Sequence, residues 1–268
     1  MVSITVRLWK SPKVKSVLIM LVLVGLWEIF AKYIIQLILP PHRLFSFASV
    51  VPGPSDIIMT LPRTPELLDQ MTISLYRYFG GFLSGVFLGL PIGIAMGYSP
   101  RLASATEPLV NVVRAIPPLA WIPISIVWFG ISDVQKFYII FLGSFFTVVI
   151  NTIPAIRDVE KRYIIAAGTL GCDRKRMFTK IILPAASPLT LMGIRIAMGV
   201  AWIALVTAEL VAASDGLGFM IEDSRLMLDT EKIFIGMIAI GLMASAIDLI
   251  IVRIQNFLTP WYKEIVIG

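Results

Sequence analysis

The chain has 268 residues, of which 57% are hydrophobic and 15% charged, and its mean hydropathy is +0.87. This composition indicates a membrane protein and excludes an additional soluble domain of ordinary size, such as a fused ATPase. The single cysteine, Cys172, and the single histidine, His42, exclude an intrachain disulfide and a histidine-rich metal site. The net charge of +6 does not indicate nucleic-acid binding, because the charges lie at the ends of apolar runs rather than on a polar surface.

Six apolar segments predict six transmembrane helices, because an α-helix needs about 20 mostly apolar residues to cross the hydrocarbon core. The segments are 17–39, 79–98, 115–131, 137–156, about 181–213 and 233–252. The first follows basic residues, as a signal peptide would, but it is long and lacks a small-x-small cleavage site, so we expect a retained anchor. The sequence therefore predicts an all-α, polytopic membrane helix bundle.

Basic residues are concentrated in alternate connections between these segments, and this asymmetry predicts the orientation. The intervening connections are acidic, so we expect both termini in the cytoplasm. The expected organisation is an N-terminal part (1–71), a five-helix membrane core (72–258) and a cytoplasmic tail (259–268). Six prolines within 40–71 predict an irregular outer connection that contains a short interfacial helix.

Segment 157–184, hereafter the basic helix-turn-helix, is cytoplasmic in this orientation and has a helical pattern. Gly171 is suited to the left-handed conformation that ends a helix, and Asp173 is a good N-cap for a second helix from Arg174 to Leu183. Two interpretations are open. Its basic side chains could bind anionic lipid headgroups, or the element could dock a cytoplasmic partner.

The spacing of the EAA loop of bacterial ABC-importer permeases is reproduced here by Ala166-Ala167, Gly171, Ile181 and Leu183-Pro184. Within that superfamily the chain resembles the nitrate/sulfonate/taurine/bicarbonate branch, from about residue 70 to the C-terminus. The stretches that carry this likeness are Arg114–Ala120, Trp128–Gly130, Gly193–Arg195, Ala208-Glu209 and Gly216–Gly218. Ile165 stands where the motif has glutamate, so docking here would depend on shape and apolar contact.

The resemblance implies the type I ABC-importer permease fold, with two permease copies forming a homodimer and two cytoplasmic ABC ATPases that each receive one EAA helix. It also implies an extracytoplasmic solute-binding protein and a plasma-membrane location. ATP and Mg²⁺ would be used by the ATPase, because the chain has no Gly-x4-Gly-Lys-Ser/Thr motif. We expect no cofactor on this chain, and we expect the chain to be a transport subunit without enzymatic activity of its own. The implied substrate is a small anion, with taurine or another sulfonate first and nitrate or bicarbonate open.

The same resemblance assigns two groups of residues. Those implied in coupling to the ATPase are Ala166, Ala167, Gly171, Asp173, Arg174, Leu183 and Pro184. Those implied in an outer gate, which would meet the solute-binding protein, are Gly216, Gly218 and Phe219.

The translocation pathway is predicted from charges and prolines inside the apolar segments. Prolines disfavour a straight helix, and a broken span is tolerated only where it is buried in protein or lines a cavity. An arginine beside such a break would suit an anion. The predicted pathway residues are Arg114, Pro117, Pro118, Trp121, Arg195 and Glu209. Alternatively, Arg114 pairs with Glu209 or another acid and locks the bundle. Arg195 and Glu209 lie about 21 Å apart along one helix, so each needs a partner elsewhere.

Three other charged sites have structural interpretations. Glu28 and Lys32 are four residues apart with the acid first, which predicts a helical ion pair. Glu107 is expected near a helix start, where an acid meets the positive end of the dipole. Asp248 is expected to pair with Arg253.

The second apolar segment carries one arginine and a stripe of glycines. For Arg77 two interpretations are open: its side chain reaches the outer interface, or it has a functional role within the span. The glycines recur at every fourth position and predict a helix-packing seam. They are Gly81, Gly85, Gly89, Gly93 and Gly97.

Two other functional classes are disfavoured. An intramembrane protease would need a His-x-x-x-His pair or a serine with a histidine inside the bundle, whereas His42 lies in the proline-rich outer connection. An ion channel would have no need of the basic helix-turn-helix.

Overall fold

The computed structural model describes residues 12–34 and 51–262. Within those ranges the chain is helical and forms no strand. The first helices are α1 (Pro12–Ile29, continued by a π-helical turn Phe30–Ile34), α2 (Pro54–Thr60), α3 (Leu67–Tyr98), α4 (Pro100–Arg114) and α5 (Ile122–Phe129). They are followed by α6 (Asp133–Arg157), α7 (Lys161–Thr169), α8 (Arg174–Ala212), α9 (Leu217–Leu226) and α10 (Thr230–Leu258). His42 and the end of the first predicted span lie outside the described residues.

Five helices are long and apolar enough to cross a membrane, and a bent pair supplies a sixth candidate. The five are Val14–Tyr33, Leu67–Tyr98, Asp133–Arg157, Arg174–Ala212 and Thr230–Leu258. The bent pair is Pro100–Arg114 with Pro118–Phe129, whose axes turn by 81°. The predicted all-α membrane bundle is confirmed, and the predicted break falls at Pro117 and Pro118, where the chain leaves α4 and starts a short 3-10 turn.

The described chain divides into two compact units. The first contains the residues up to Leu67 together with Met220–Ile238. Its core is formed by Ile57, Met220 and Ile235, with Trp27 and Phe234 beside it. The short helix α2 confirms the helix predicted in the proline-rich connection.

The predicted pair Glu28–Lys32 in the first unit is confirmed, with 2.8 Å between the Lys32 Nζ and the Glu28 Oε1. The same carboxylate accepts hydrogen bonds from the backbone N–H and the hydroxyl of Ser55. The ion pair therefore also fixes the first turn of α2 against α1.

The second unit contains Leu68–Phe219 and the residues from Ala239 onward. Its α3 carries the predicted glycine seam, which is confirmed: the glycines lie against α6. Residue by residue, Gly81, Gly85, Gly89, Gly93 and Gly97 face Ile140, Ser144, Val148, Thr152 and Ile156. A Cβ added at Gly81 would lie 2.5 Å from the Cβ of Ile140. Both helices repeat this contact every four residues, so glycine is what permits their close approach.

Two apolar clusters fix α8 in the same unit. One joins α5, α6 and α8 through Ile122, Ile139, Ala204, Ala208 and Ala212. The other lies at the opposite end of α6 and is formed by Ile156, Val159, Ile182 and Ala186, with Met177 and Phe178 packed against it. The second cluster holds the base of the basic helix-turn-helix.

Candidate functional site

The first helix of the basic helix-turn-helix, α7, ends in a Schellman motif. Gly171 has φ of +73°, and its N–H donates to the Gly168 carbonyl at 3.0 Å. The Cys172 N–H donates to the Ala167 carbonyl at 3.1 Å. These two bonds satisfy carbonyls that the end of a helix leaves without partners. The predicted helix end at Gly171 is therefore confirmed, and its positive φ explains why this position favours glycine.

The second helix starts as predicted but does not end at Leu183. The Asp173 carboxylate accepts a hydrogen bond from the Arg176 N–H at 2.8 Å and so caps α8. From Arg174 the helix continues for 39 residues to Ala212, with a π-helical turn over Met177–Ile182. Pro184 has no N–H to donate, and the wider π turn just before it absorbs the irregularity without breaking the helix. The turn element and the span are thus one continuous rod.

Apolar side chains are exposed on the basic helix-turn-helix. Ile165 is 65% exposed and Leu170, in the turn, is 87% exposed. Ala166, Gly171, Asp173 and Arg174 are exposed around that turn, Ala167 is buried beneath it, and Leu183 and Pro184 lie farther along α8. The predicted coupling residues therefore lie on one contiguous element whose tip presents apolar side chains.

A cavity of about 650 Å³ lies at the base of this element. Glu160, Tyr163, Lys180, Pro184 and Trp261 are among its lining residues. Beside the cavity, Arg162 forms an ion pair with Glu160. The Glu160 carboxylate raises the pKa of the Arg162 guanidinium. The guanidinium therefore stays charged at any physiological pH.

Three of the predicted pathway residues are brought together at the break between α4 and α5. Arg114, Pro118 and Trp121 line a cavity of about 130 Å³. Arg114 also lines a second cavity of about 310 Å³, with Asn111 and Asn151. The Arg114 Nε donates to the Asn111 Oδ1 at 2.9 Å, and the alternative pairing of Arg114 with Glu209 is not formed. Arg114 thus lines two cavities, a mainly apolar one beside the break and a more polar one beside Asn111 and Asn151. Pro117 lies in the extended backbone just before the 3-10 turn.

Glu107 does not occupy the position predicted for it. It lies in the middle of α4, which begins at Pro100, and its carboxylate is 2.6 Å from a guanidinium nitrogen of Arg157 on α6. The apolar segment predicted as the third span, 115–131, begins only after α4 has ended. The helix that contains Glu107 therefore starts earlier than the sequence indicates. Glu107 therefore connects two helices instead of meeting a helix dipole.

Glu209 lies in neither cavity. It is 1% exposed, and its carboxylate accepts hydrogen bonds from the Ser74 hydroxyl at 2.9 Å, the Arg77 guanidinium at 3.2 Å and the Gly218 N–H at 3.0 Å. A carboxylate buried at this depth requires such partners. Glu209 lies near the C-terminal end of α8, and its hydrogen bonds connect that end to α3 and to the start of α9.

Arg77 is the centre of this arrangement, and the interpretation in which it reaches the outer interface is wrong. Its side chain is 3% exposed, and it forms ion pairs with Glu209, Asp133 and Asp215. We refer to these four residues as the Arg77 cluster. The sequence shows an arginine in an apolar span but not its three acidic partners, which come from distant parts of the chain.

The predicted gate residues border the Arg77 cluster. Gly216 has φ of +99°, and its N–H donates to the Gln70 side chain. The next N–H, that of Leu217, donates to the Ser74 hydroxyl at 2.9 Å. Gly216 and Gly218 are buried, and Phe219 is half-buried on α9. Hydrogen bonds from successive backbone groups therefore hold the α8–α9 connection against α3.

Arg195 pairs with Asp248 across α8 and α10. Its Nε and one terminal nitrogen donate to the two carboxylate oxygens at 2.7 and 2.8 Å. The predicted pairing of Asp248 with Arg253 is wrong, because the bidentate geometry of an arginine on the neighbouring helix is available. Both side chains line a further cavity of about 210 Å³. The predicted pathway residues therefore divide among separate places: the break, this cavity and the Arg77 cluster.

Within 12–34 and 51–262, no group of three or more His, Cys, Asp or Glu side chains could hold a metal ion.

A bundle of long apolar helices, one of them broken beside an arginine-lined cavity, defines a multi-pass membrane transport protein. Residues 85–264 match the family model described as the binding-protein-dependent transport system inner membrane component. The match covers more than half of the chain, and the chain belongs to this family. It is a multi-pass plasma-membrane protein and a transport subunit.

Curated relatives lie in the same family. The chain is 34% identical to the taurine transport system permease protein TauC of Escherichia coli, over 84% of this chain and 80% of the relative. It is 39% identical to the putative aliphatic sulfonates transport permease protein SsuC of Bacillus subtilis, over 80% and 79%. It is 31% identical to the nitrate import permease protein NrtB of Leptolyngbya laminosa, over 71% and 68%.

A solved structure shares the fold. The model superposes on a chain of the inward-facing MetNI methionine ABC transporter with a TM-score of 0.61 and 19% identity, over 74% of this chain and 98% of that one. The predicted type I ABC-importer permease fold is confirmed.

Proposed function

We propose that the chain is the permease subunit of an ATP-driven ABC importer and that its substrate is a small sulfonate such as taurine. The names of the two relatives TauC and SsuC support the sulfonate assignment. The name of the relative NrtB supports nitrate as the second candidate.

The continuity of α8 is the observation that carries this proposal. A stiff helix that begins at the Asp173 cap continues into the bundle, where it packs against α6. A force applied to the exposed turn at Leu170 and Gly171 is therefore transmitted along one rod. Such a lever suits a subunit that is driven from outside by another protein.

The proposed assembly has two copies of this chain, two cytoplasmic ABC ATPases and an extracytoplasmic solute-binding protein, with both termini of the chain in the cytoplasm. Each ATPase would receive the basic helix-turn-helix, use ATP and Mg²⁺, and rock the bundle between inward-open and outward-open states. The solute-binding protein would meet the exposed side of the α8–α9 connection, whose shape the buried Gly216 and Gly218 and the half-buried Phe219 help to set. The exposed apolar tip argues for a protein partner over lipid headgroups, which would need only charge.

The proposed pathway passes Arg114. The broken helix frees backbone groups at Pro117 and Pro118, and a cavity lies on each side of the arginine. No carboxylate forms an ion pair with Arg114 among the described residues, so its positive charge can attract an anionic group.

The test is uptake into proteoliposomes that contain the chain with its ATPase and solute-binding protein. We expect ATP-dependent accumulation of labelled taurine, lost when the ATPase cannot hydrolyse ATP. Uptake without ATP would indicate a channel, and nitrate uptake with no sulfonate uptake would transfer the substrate assignment to nitrate.

A further inference from the structure

The cavity between α3, α8 and α10 combines an ion pair with an apolar wall. Arg195 and Asp248 lie on one side, and Tyr78, Met198, Trp202 and Ile247 are among the other lining residues. Its volume is about 210 Å³, comparable to about seven water molecules at about 30 Å³ each. A molecule of the size of taurine fits this space.

Among the lining residues that the structure describes, Arg195 and Asp248 carry the only formal charges, one positive and one negative. Arg195 and Asp248 are 46% and 42% exposed, so both charged groups are accessible while bonded to each other. A simple anion would meet the Asp248 carboxylate as well as the Arg195 guanidinium, and attraction and repulsion would largely cancel. A zwitterion, in contrast, carries one charge for each partner.

Trp202 contributes an indole ring to the apolar wall. The residue is 8% exposed, and its Nε1–H is closed off from solvent and has no acceptor among the residues that the structure describes. A molecule in the cavity would therefore contact the ring and not this N–H.

We propose that this cavity recognises a zwitterionic aminosulfonate, with the sulfonate at Arg195, the ammonium at Asp248 and the short alkyl spacer against Met198 and Ile247. The proposal rests on the function proposed above and deepens it. In this site Asp248 discriminates taurine-like zwitterions from simple anions, because it binds the ammonium group. A sulfonate that has no ammonium group needs only Arg195.

The test compares labelled taurine with ethanesulfonate, which has the same head and no ammonium. Asp248→Asn keeps an acceptor for Arg195 but gives the cavity a net positive charge. Uptake of each substrate by the variant is divided by wild-type uptake, so that the preference of the solute-binding protein cancels. We expect the taurine ratio to fall about tenfold or more below the ethanesulfonate ratio.

Three variants serve as controls. Asp248→Glu retains the charge and should retain the preference for taurine. Glu66→Gln removes a carboxylate of similar exposure from the ion pair with Lys232, which lies in the first compact unit; it should leave the ratio unchanged. Trp202→Phe identifies the contribution of Trp202 to the tryptophan fluorescence of the wild-type protein, so that binding can be measured with Asp248 intact. Taurine, but not ethanesulfonate, should alter this contribution.

The outcomes separate the two proposals. Equal loss of both substrates in Asp248→Asn, with wild-type uptake intact, would overturn the zwitterion site and leave the importer assignment standing. A wild-type complex that accumulates neither sulfonate would overturn the proposed function. Equal fluorescence responses to the two compounds would also overturn the zwitterion site.

Discussion

Arg77 and Glu209 lie 132 residues apart in the chain, and their side chains form a buried ion pair at 3.2 Å. The pair joins α3 to α8 beneath the α8–α9 connection. Asp133 and Asp215, whose side chains are 48% and 40% exposed, complete the Arg77 cluster on its outer side. The cluster therefore connects α3 to the start of α6 and to the end of α8. We interpret Glu209 as a structural residue rather than a substrate contact.

Removal of Arg77 should destabilise the protein strongly. Arg77→Ala leaves the Glu209 carboxylate buried without its cation, and breaking one partner of a buried ion pair typically costs about 3–5 kcal/mol. We expect a clear fall in the apparent melting temperature of the detergent-solubilised protein. Arg63→Ala, which removes an exposed arginine, should change it little. Similar melting temperatures for the two variants would show that the cluster contributes no net stability.

Interactions within one or two helical turns could be predicted from the sequence. The Glu28–Lys32 pair and the cap at Asp173 depend only on spacing along one helix. The glycine stripe of α3 also predicted a seam, because a four-residue repeat defines a face. The identity of the facing helix was not predictable, since the stripe carries no information about its partner.

Pairings between distant segments could not be predicted. The sequence does not show which acids Arg77 meets, because they are separated from it by tens of residues or more. Arg253 is the nearest basic residue to Asp248 in the sequence, yet Asp248 pairs with Arg195, 53 residues away. The physical reason is common to both: the fold decides which helices are neighbours, and a charge within an apolar segment pairs with the partner that offers the best geometry.

The glycine seam predicts a cost for the smallest possible side chain. In Gly81→Ala the new Cβ lies 2.5 Å from the Ile140 Cβ, so α3 and α6 must separate. We expect a loss of stability of about 1–3 kcal/mol, which is typical of overpacking and outweighs the gain in helix propensity. Gly241→Ala meets nothing within 4 Å and should be neutral or stabilising. Equal melting temperatures for the two variants would contradict the seam.

The turn at Gly171 should tolerate asparagine but not valine. Its φ of +73° is accessible to Asn and strongly disfavoured for a β-branched residue. Gly171→Val should therefore distort the Schellman turn, lower ATPase-driven uptake by at least tenfold and leave the amount of protein in the membrane unchanged. Gly171→Asn should retain most of the uptake. Normal uptake by the valine variant would show that this turn does not couple transport to the ATPase.

Ile165 should contribute directly to ATPase binding. Its side chain is 65% exposed in this chain alone, and burial of such a side chain contributes about 1.5–3 kcal/mol. Ile165→Ser should therefore weaken the affinity for the ATPase by about tenfold to a hundredfold, measured by equilibrium binding to the permease in nanodiscs. Leu226→Ser removes an apolar side chain of similar exposure, 67%, at the end of α9, which the proposed orientation places on the other side of the membrane. Equal affinities for the two variants would mean that the ATPase does not contact Ile165, and the charged side chains of the basic helix-turn-helix would then have to supply the docking energy.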